Sequence, residues 1–296
     1  MAAVTDREKY LFDLQGFVIL RGCLSAAEVA ELNDGLDAIP KLAPGEWYGA
    51  LHGHTYGTKD GVSYQQIYEA GEPFERLIDH PAWIDHIKTF VGGQTSFDAK
   101  HGPLFIDECF ANFREPGEAI GLHSGGSEFI KRNQYRFMNG QFMCCQVNAL
   151  IALTDIGPGD GGTMVVPGSH KQNFRHPDIA KYAMKAGGAS GDECEAAIEV
   201  FLKPGDVLIF TDAIMHGSAK RHNAGQRRVA IFRYGPSWGF FRHGYRPTRE
   251  LLARLTPARR QIVWPHEPFA RTPNRKPGFT ELIPSYESRT GTGISG

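Results

Sequence analysis

"KPGDVLIFTDAIMHGSAKRHNAGQRRVAIFRYGP", residues 203–236, contains two strand-like runs, DVLIF and RVAIFRYG, each entered through a turn. The runs are β-branched and aromatic, and the Pro-Gly-Asp and Asn-Ala-Gly tracts before them cannot continue a strand or a helix. Working outward, four further runs have the same character: PLFIDECFANFRE (103–115), QFMCCQVNALIAL (141–153), GGTMVVPGS (161–169) and AIEVF (197–201). GPGDGG (157–162) is a turn by composition.

The chain before residue 95 reads differently. Phe17–Leu20 is an apolar strand, followed by a helix in which Ser25 and Glu28 have capping-box spacing and Val29, Leu32 and Leu36 recur at helical intervals. PFERLIDHPAWIDHIKTFVGG (73–93) reads as two short amphipathic helices ended by Gly92 and Gly93. Residues 41–66, rich in glycine, histidine and tyrosine, show no period and are expected to be a long loop. After Trp238 the chain is basic and proline-rich, with one helical piece at TRELLARL. Helices first and many short strands after them predict a mainly β chain, an antiparallel sandwich or barrel with helices packed outside. With no linker and no repeat, one domain is expected over residues 1–296: a helical part at about 1–94, a β core at about 95–240, and an irregular extension over 241–296.

Composition bounds the partners. A formal charge of −1 over 296 residues, with basic residues scattered, argues against nucleic acid or an anionic membrane as partner. No stretch approaches the roughly 20 apolar residues of a membrane span. The first residues carry no secretory signal pattern, and the five cysteines form no CxxC, so a cytoplasmic protein acting on a small molecule is expected. Cys144 and Cys145 lie in an apolar run and read as small buried residues.

Three residues stand at strand ends where they can meet. His123 lies in GEAIGLHSGG (117–126), His216 follows the strand DVLIF, and Arg227 opens the next strand. Two imidazoles and a carboxylate hold Fe(II) on one face and leave positions open for a chelating cosubstrate and O2. An inward arginine clamps the far carboxylate of that cosubstrate. Arg227 and Arg228 are adjacent, so on a strand they face opposite ways.

DLQGFVILRGCLSAAEVAEL (13–32), LTDIGPGDGGTMVVPGSHK (153–171) and HGSAKRHNAGQRRVAIFRYGP (216–236) resemble successive blocks of the phytanoyl-CoA dioxygenase-like family of Fe(II)/2-oxoglutarate oxygenases. The resemblance runs from about residue 10 to 240. It implies a double-stranded β-helix (jelly roll) with flanking N-terminal helices, His123 and His216 as iron ligands, and Arg227, assisted by Ser218, on 2-oxoglutarate. More loosely, it places Gln146, Asn148 and Leu150 on a strand face looking into the barrel, with Gln146 and Asn148 near the cosubstrate. The cofactors implied are Fe(II), 2-oxoglutarate and O2, and the reaction is hydroxylation of an unactivated C–H bond.

The departure is His-Ser-Gly where the family has His-x-Asp. Three readings stand side by side. A carboxylate from elsewhere completes the site, with Glu128, Asp107 and Glu108 as candidates; water fills the position; or chloride does, as in related iron halogenases with a small residue there. A non-catalytic jelly-roll binding protein is the rival from another class, and a zinc hydrolase would need a third firm ligand. His170 in PGSHK is expected to be structural, and Asp155 and Asp160 to make turn bonds. Trp47, Tyr48, His52, His54 and Tyr56 form either a substrate lid or a packed surface loop.

Overall fold

Val147, Ala149 and Ile151 project from one face of a strand and Asn148, Leu150 and Ala152 from the other, yet all six are buried. A strand covered on both faces loses its alternation, which is why QFMCCQVNALIAL reads as a continuous apolar run. What covers each face defines the architecture.

The structure is a computed structural model that describes residues 3–57, 61–93, 97–183, 191–242 and 245–266. All of these lie in one compact unit, Met1–His266. The expected irregular extension over 241–296 lies outside the described residues beyond 266.

The strands in chain order begin with β1 (Phe17–Leu20), β2 (Trp47–Tyr48), β3 (Leu51–His54), β4 (Val62–Gln65) and β5 (Leu104–Arg114). Next come β6 (Ile120–His123), β7 (Phe137–Met138), β8 (Gln141–Phe142), β9 (Val147–Ala152) and β10 (Thr163–Val166). The last are β11 (Ile198–Val200), β12 (Val207–Thr211), β13 (Met215–Ser218) and β14 (Arg227–Pro236). An eight-stranded antiparallel sheet has the order β1-β12-β9-β14-β5-β4-β3-β2, and a four-stranded one the order β11-β10-β13-β6; β7 and β8 form a separate hairpin. Leu150, Leu208, Phe210 and Val229 of the large sheet share one apolar cluster with Val165 and Val200 of the small one, so the two sheets pack face to face as a jelly roll.

The outer face of the large sheet carries Ala149, Ile209, Ala230 and Phe232, packed on the helices. These are α1 (Asp6–Gln15), α2 (Ala26–Asp37), the short α3 (Glu72–Glu75) and α4 (Ile84–Val91). Both long N-terminal helices start with a complete capping box, Thr5 with Glu8 and Ser25 with Glu28, each contributing on the order of 1 kcal/mol. α4 ends at Gly92, as its sequence signalled.

Residues 41–66 depart from expectation. Instead of a loop they supply β2, β3 and β4, which extend the large sheet. In β3 the buried positions are Leu51 and Gly53, and glycine has no side chain to register as apolar, so the alternation is invisible in the sequence.

His170 is structural, as read. It lies 3 % exposed against α1, its Nε2 3.1 Å from the carbonyl of Asp13. Gly16, which ends α1 at φ +88°, leaves it room: a Cβ there would sit 2.6 Å from Nδ1 of His170. Burial, only partly offset by the Asp13 carbonyl, lowers the His170 pKa to about 4. An unfolded histidine titrates near 6.5, so below that pH the unfolded chain binds the extra proton and stability falls until about pH 4. We expect on the order of 2–3 kcal/mol to be lost across this window through His170. Denaturant unfolding of His170→Gln at a series of pH values should show a correspondingly flatter slope between pH 6.5 and 4 than the parent protein.

Candidate active site

β13 lies beside β6, and their antiparallel register sets His216 directly across from His123. The ring centroids are 4.2 Å apart. Nδ1 of His216 donates to the carbonyl of Ile214 at 2.7 Å, and Nδ1 of His123 to that of Gly121 at 3.1 Å. A carbonyl only accepts, so both protons are fixed on Nδ1 and both Nε2 lone pairs are left free. Burial, then the neighbouring His216, drives the His123 pKa down to about 3, and burial lowers that of His216 as well. Two neutral imidazoles with free Nε2 atoms are what a divalent metal needs from histidine.

The pair lines a cavity of about 220 Å³ that also receives Ser218 and Arg227. Arg227 is 4 % exposed and sits at the start of β14, across from the buried Arg114 on β5. Its guanidinium donates to the carbonyl of Gly161 and to Oδ1 of Asn112, the latter at 3.4 Å, while Nε has no acceptor. Burial first, then Arg114 and Arg221, lower its pKa to about 9, so it remains charged at neutral pH. A buried guanidinium in contact with no carboxylate is an open anion site. Ser218 pairs across from Thr163, and both hydroxyl-bearing residues line the same cavity. Arg228 faces the other way and binds Asp37 at 2.6 Å, as strand alternation requires.

The carboxylates considered for the third ligand position are engaged elsewhere. Glu128 pairs with Arg175 at 3.0 Å, Glu108 with Arg233 and Tyr56, and Asp107 accepts from Gln146 and the backbone of Phe241 and Arg242. Among the described residues no third histidine, cysteine, aspartate or glutamate joins the pair. Position 125 itself is shaped for glycine. It has φ +107°, and a Cβ would lie 2.5 Å from Nε2 of Gln172, which donates to Oγ of Ser127 at 2.9 Å. Its neighbour Ser124 also adopts a positive φ, +67°, with its hydroxyl buried and unpartnered.

Leu150 reaches the cavity wall. Gln146 and Asn148, on the same strand face, end behind that wall: Gln146 meets Asp107 and Arg242, and Asn148 donates to Asp212 at 3.2 Å. Of the aromatic residues in 47–56, Tyr56 alone lines the cavity, whereas His52 stacks on Trp47 and bonds the hydroxyl of Tyr245 at 2.7 Å. Asp160 makes the turn bond expected of it, to the Gly157 amide at 2.9 Å, and Asp155 pairs with Lys203. The sequence reading did not single out Asp212, Arg132, Arg233 or Arg242. Burial raises the Asp212 pKa, but Arg242, His216 and Arg132 outweigh it and hold the carboxylate ionised. Arg233 was within reach, since it shares the parity of Arg227 on one strand; Arg132 and Arg242 come from loops and carried no local signal.

The sequence profile of a family described as phytanoyl-CoA dioxygenase (PhyH) matches residues 12–229. The dioxygenase cdmD of Talaromyces verruculosus is 23 % identical over 269 residues, 84 % of this chain and 80 % of its own length. The dioxygenase FUM3 of Gibberella moniliformis is 23 % identical over 225 residues, 73 % of this chain and 67 % of its own. HygX from Streptomyces hygroscopicus, a crystal structure with nickel and 2-oxoglutarate bound, superposes with a TM-score of 0.66 at 25 % identity, covering 84 % of this chain and 94 % of HygX.

If glycine is required at 125 by the backbone and by Gln172, introducing an aspartate there costs stability. Gly125→Asp is expected to destabilise the metal-free protein by about 1–2 kcal/mol, lowering its melting temperature by roughly 2–6 °C. Adding Gln172→Ala should recover only the part owed to the side-chain clash; an unchanged melting temperature in the single variant would show position 125 to be permissive.

Proposed function

The chain belongs to the phytanoyl-CoA dioxygenase family, and we propose that it is an Fe(II)- and 2-oxoglutarate-dependent oxygenase that hydroxylates a C–H bond of a small organic substrate. The observation that carries the reading is the joint presence, in one cavity, of two neutral imidazoles with free Nε2 atoms and a buried Arg227 without a carboxylate partner. The first suits a metal, the second the distal carboxylate of a dicarboxylate cosubstrate.

His123 and His216 would hold the iron through Nε2. Iron, when bound, supplies the redox chemistry that couples O2-driven decarboxylation of 2-oxoglutarate to succinate and CO2 with delivery of the other oxygen atom to the substrate. The chain's own part is positional. The carbonyls of Ile214 and Gly121 fix both imidazole planes, so the ligands are oriented before metal arrives. Arg227 would take the distal carboxylate, with Ser218 and Thr163 offering hydroxyl donors beside it. Leu150, Phe210 and Ile231 give the cavity apolar walls that limit water near the reacting carbon.

Gly125 favours a second reading within the same class. Glycine brings no carboxylate to the loop after His123, so an exogenous ligand could take that place on a bound metal, and with chloride there the product would be a halogenated carbon. A jelly roll that only binds has no use for two imidazoles kept neutral and aligned. No helix among the described residues is long and apolar enough to cross a membrane. All five cysteines are free thiols, which fits the reducing cytoplasm.

Anaerobic addition of Fe(II) and 2-oxoglutarate should produce a weak visible charge-transfer band, and the absence of any band would remove the reading. A shift of that band on adding chloride selects the halogenase; indifference to chloride selects the hydroxylase. Arg227→Leu should raise the 2-oxoglutarate concentration needed to develop half the band by at least tenfold, on the order of 1.4 kcal/mol or more.

A further inference from the structure

Among the described residues, four arginines and no acidic residue line the cavity. Arg227 is accounted for by the cosubstrate carboxylate. The other three, Arg132, Arg233 and Arg242, form a second basic pole. Arg227 and Arg233 share one face of β14 six positions apart, so their backbones are roughly 20 Å apart at the strand rise of about 3.3 Å per residue. One end of the cavity is therefore fixed by Arg227 and the other by the group around Arg233.

Structural ion pairing does not use up this second pole. Arg132 reaches Asp212 through Nε at 2.6 Å, and neither of its terminal nitrogens finds an acceptor among the described residues. Arg233 gives Nη1 to Glu108, its guanidinium carbon lying 5.0 Å from the ring centre of Phe110, and leaves Nε and Nη2 without acceptors among the described residues. Arg242 donates to Oε1 of Gln146 at 3.2 Å and pairs through Nε with Glu108 at 3.4 Å and through Nη2 with Asp212 at 3.7 Å, while its Nη1 is without an acceptor among the described residues. The balancing carboxylates, Glu108 and Asp212, stand behind the wall, and Asp107 is turned to backbone amides. The three arginines line the cavity while the carboxylates that pair with them do not, and they keep N–H donors unspent, an arrangement that suits a carboxylate or phosphate.

We propose that the substrate carries an anionic group, a carboxylate or a phosphate, which docks on Arg132, Arg233 and Arg242 and so presents its nearby carbon to the metal position. The assignment rests on the reading of Arg227 as the cosubstrate anchor, since it takes the second pole to be left for the substrate. Three donors in a fixed arrangement restrict the substrate's orientation as well as its charge.

Calorimetric titration tests this on the full chain, kept anaerobic with Fe(II) and saturating 2-oxoglutarate, at constant ionic strength in chloride-free buffer. Inorganic phosphate and acetate are the probes. Saturable binding of either supports the proposal; phosphate alone points to a phosphorylated substrate and acetate alone to a carboxylic acid. Arg242→Gln and Arg132→Gln should each weaken that binding at least tenfold while 2-oxoglutarate affinity stays within threefold. Each variant leaves Asp212 another arginine, and if one fails to fold the other carries the test. Binding that never saturates, or that ignores both substitutions, overturns the proposal. So does a tenfold fall in 2-oxoglutarate affinity in these variants, which would give the pole to the cosubstrate's inner carboxylate. Arg227→Gln separates the two readings: unchanged 2-oxoglutarate affinity there removes the cosubstrate anchor, while saturable phosphate or acetate binding sensitive to Arg132 and Arg242 would still stand.

Discussion

The antiparallel register between β6 and β13 is the constraint from which the site follows. It sets His123 across from His216 with Nδ1 of each held by a carbonyl of its own strand or turn. Neither imidazole can carry two protons cheaply there, because the second charge would be buried beside another ring with no carboxylate in contact. Both are therefore neutral imidazoles on one side of a cavity. The large sheet supplies the opposite wall, where Arg227, Ile231 and Arg233 follow one another along a single strand face. One sheet thus brings the two imidazoles and the other two of the guanidinium groups.

That division explains how basic residues survive inside a β-sandwich. An unpaired buried guanidinium costs several kcal/mol, and the fold reduces the cost differently at the two ends. Near Arg227 the compensation comes from one carbonyl and one amide oxygen, so a bound carboxylate would have much to gain. Near Arg233 it comes from Glu108 and Asp212 placed behind the arginines, which pins the side chains yet leaves donors facing inward. Asn148 and Gln146 belong to this support, since each holds a member of the ion-pair network rather than the cavity itself.

What could be read in the sequence was whatever repeats at a fixed interval or sits beside a turn. The strands of the sandwich, the Ser25 and Glu28 capping box, the opposed directions of Arg227 and Arg228, and the two histidines at strand ends all fall in this group. Residues 41–66 were not legible because β3 alternates leucine and glycine against histidine, a pattern without apolar contrast. Asp212, Arg132 and Arg242 were missed for a different reason. Each is placed by loop closure between distant segments, and a charge has no period to announce which partner it will meet. Gln172 is the same case: its contact with position 125 exists only because the PGSHK turn folds back on the loop after His123.

The missing carboxylate and the second basic pole make sense together. A carboxylate at position 125 would put a negative charge close to any anion held on Arg132, Arg233 and Arg242. Like charges repel more strongly in a buried cavity than in water, so such a carboxylate would weaken anion binding. With glycine there the repulsion is absent, and the arginines need overcome only their own ties to Glu108 and Asp212. A metal bound by the two imidazoles would gain no charge from glycine at 125, so their fixed geometry would matter more. The backbone conformation at Ser124 and Gly125, costly for any residue but glycine at 125, makes glycine there a requirement of the loop itself.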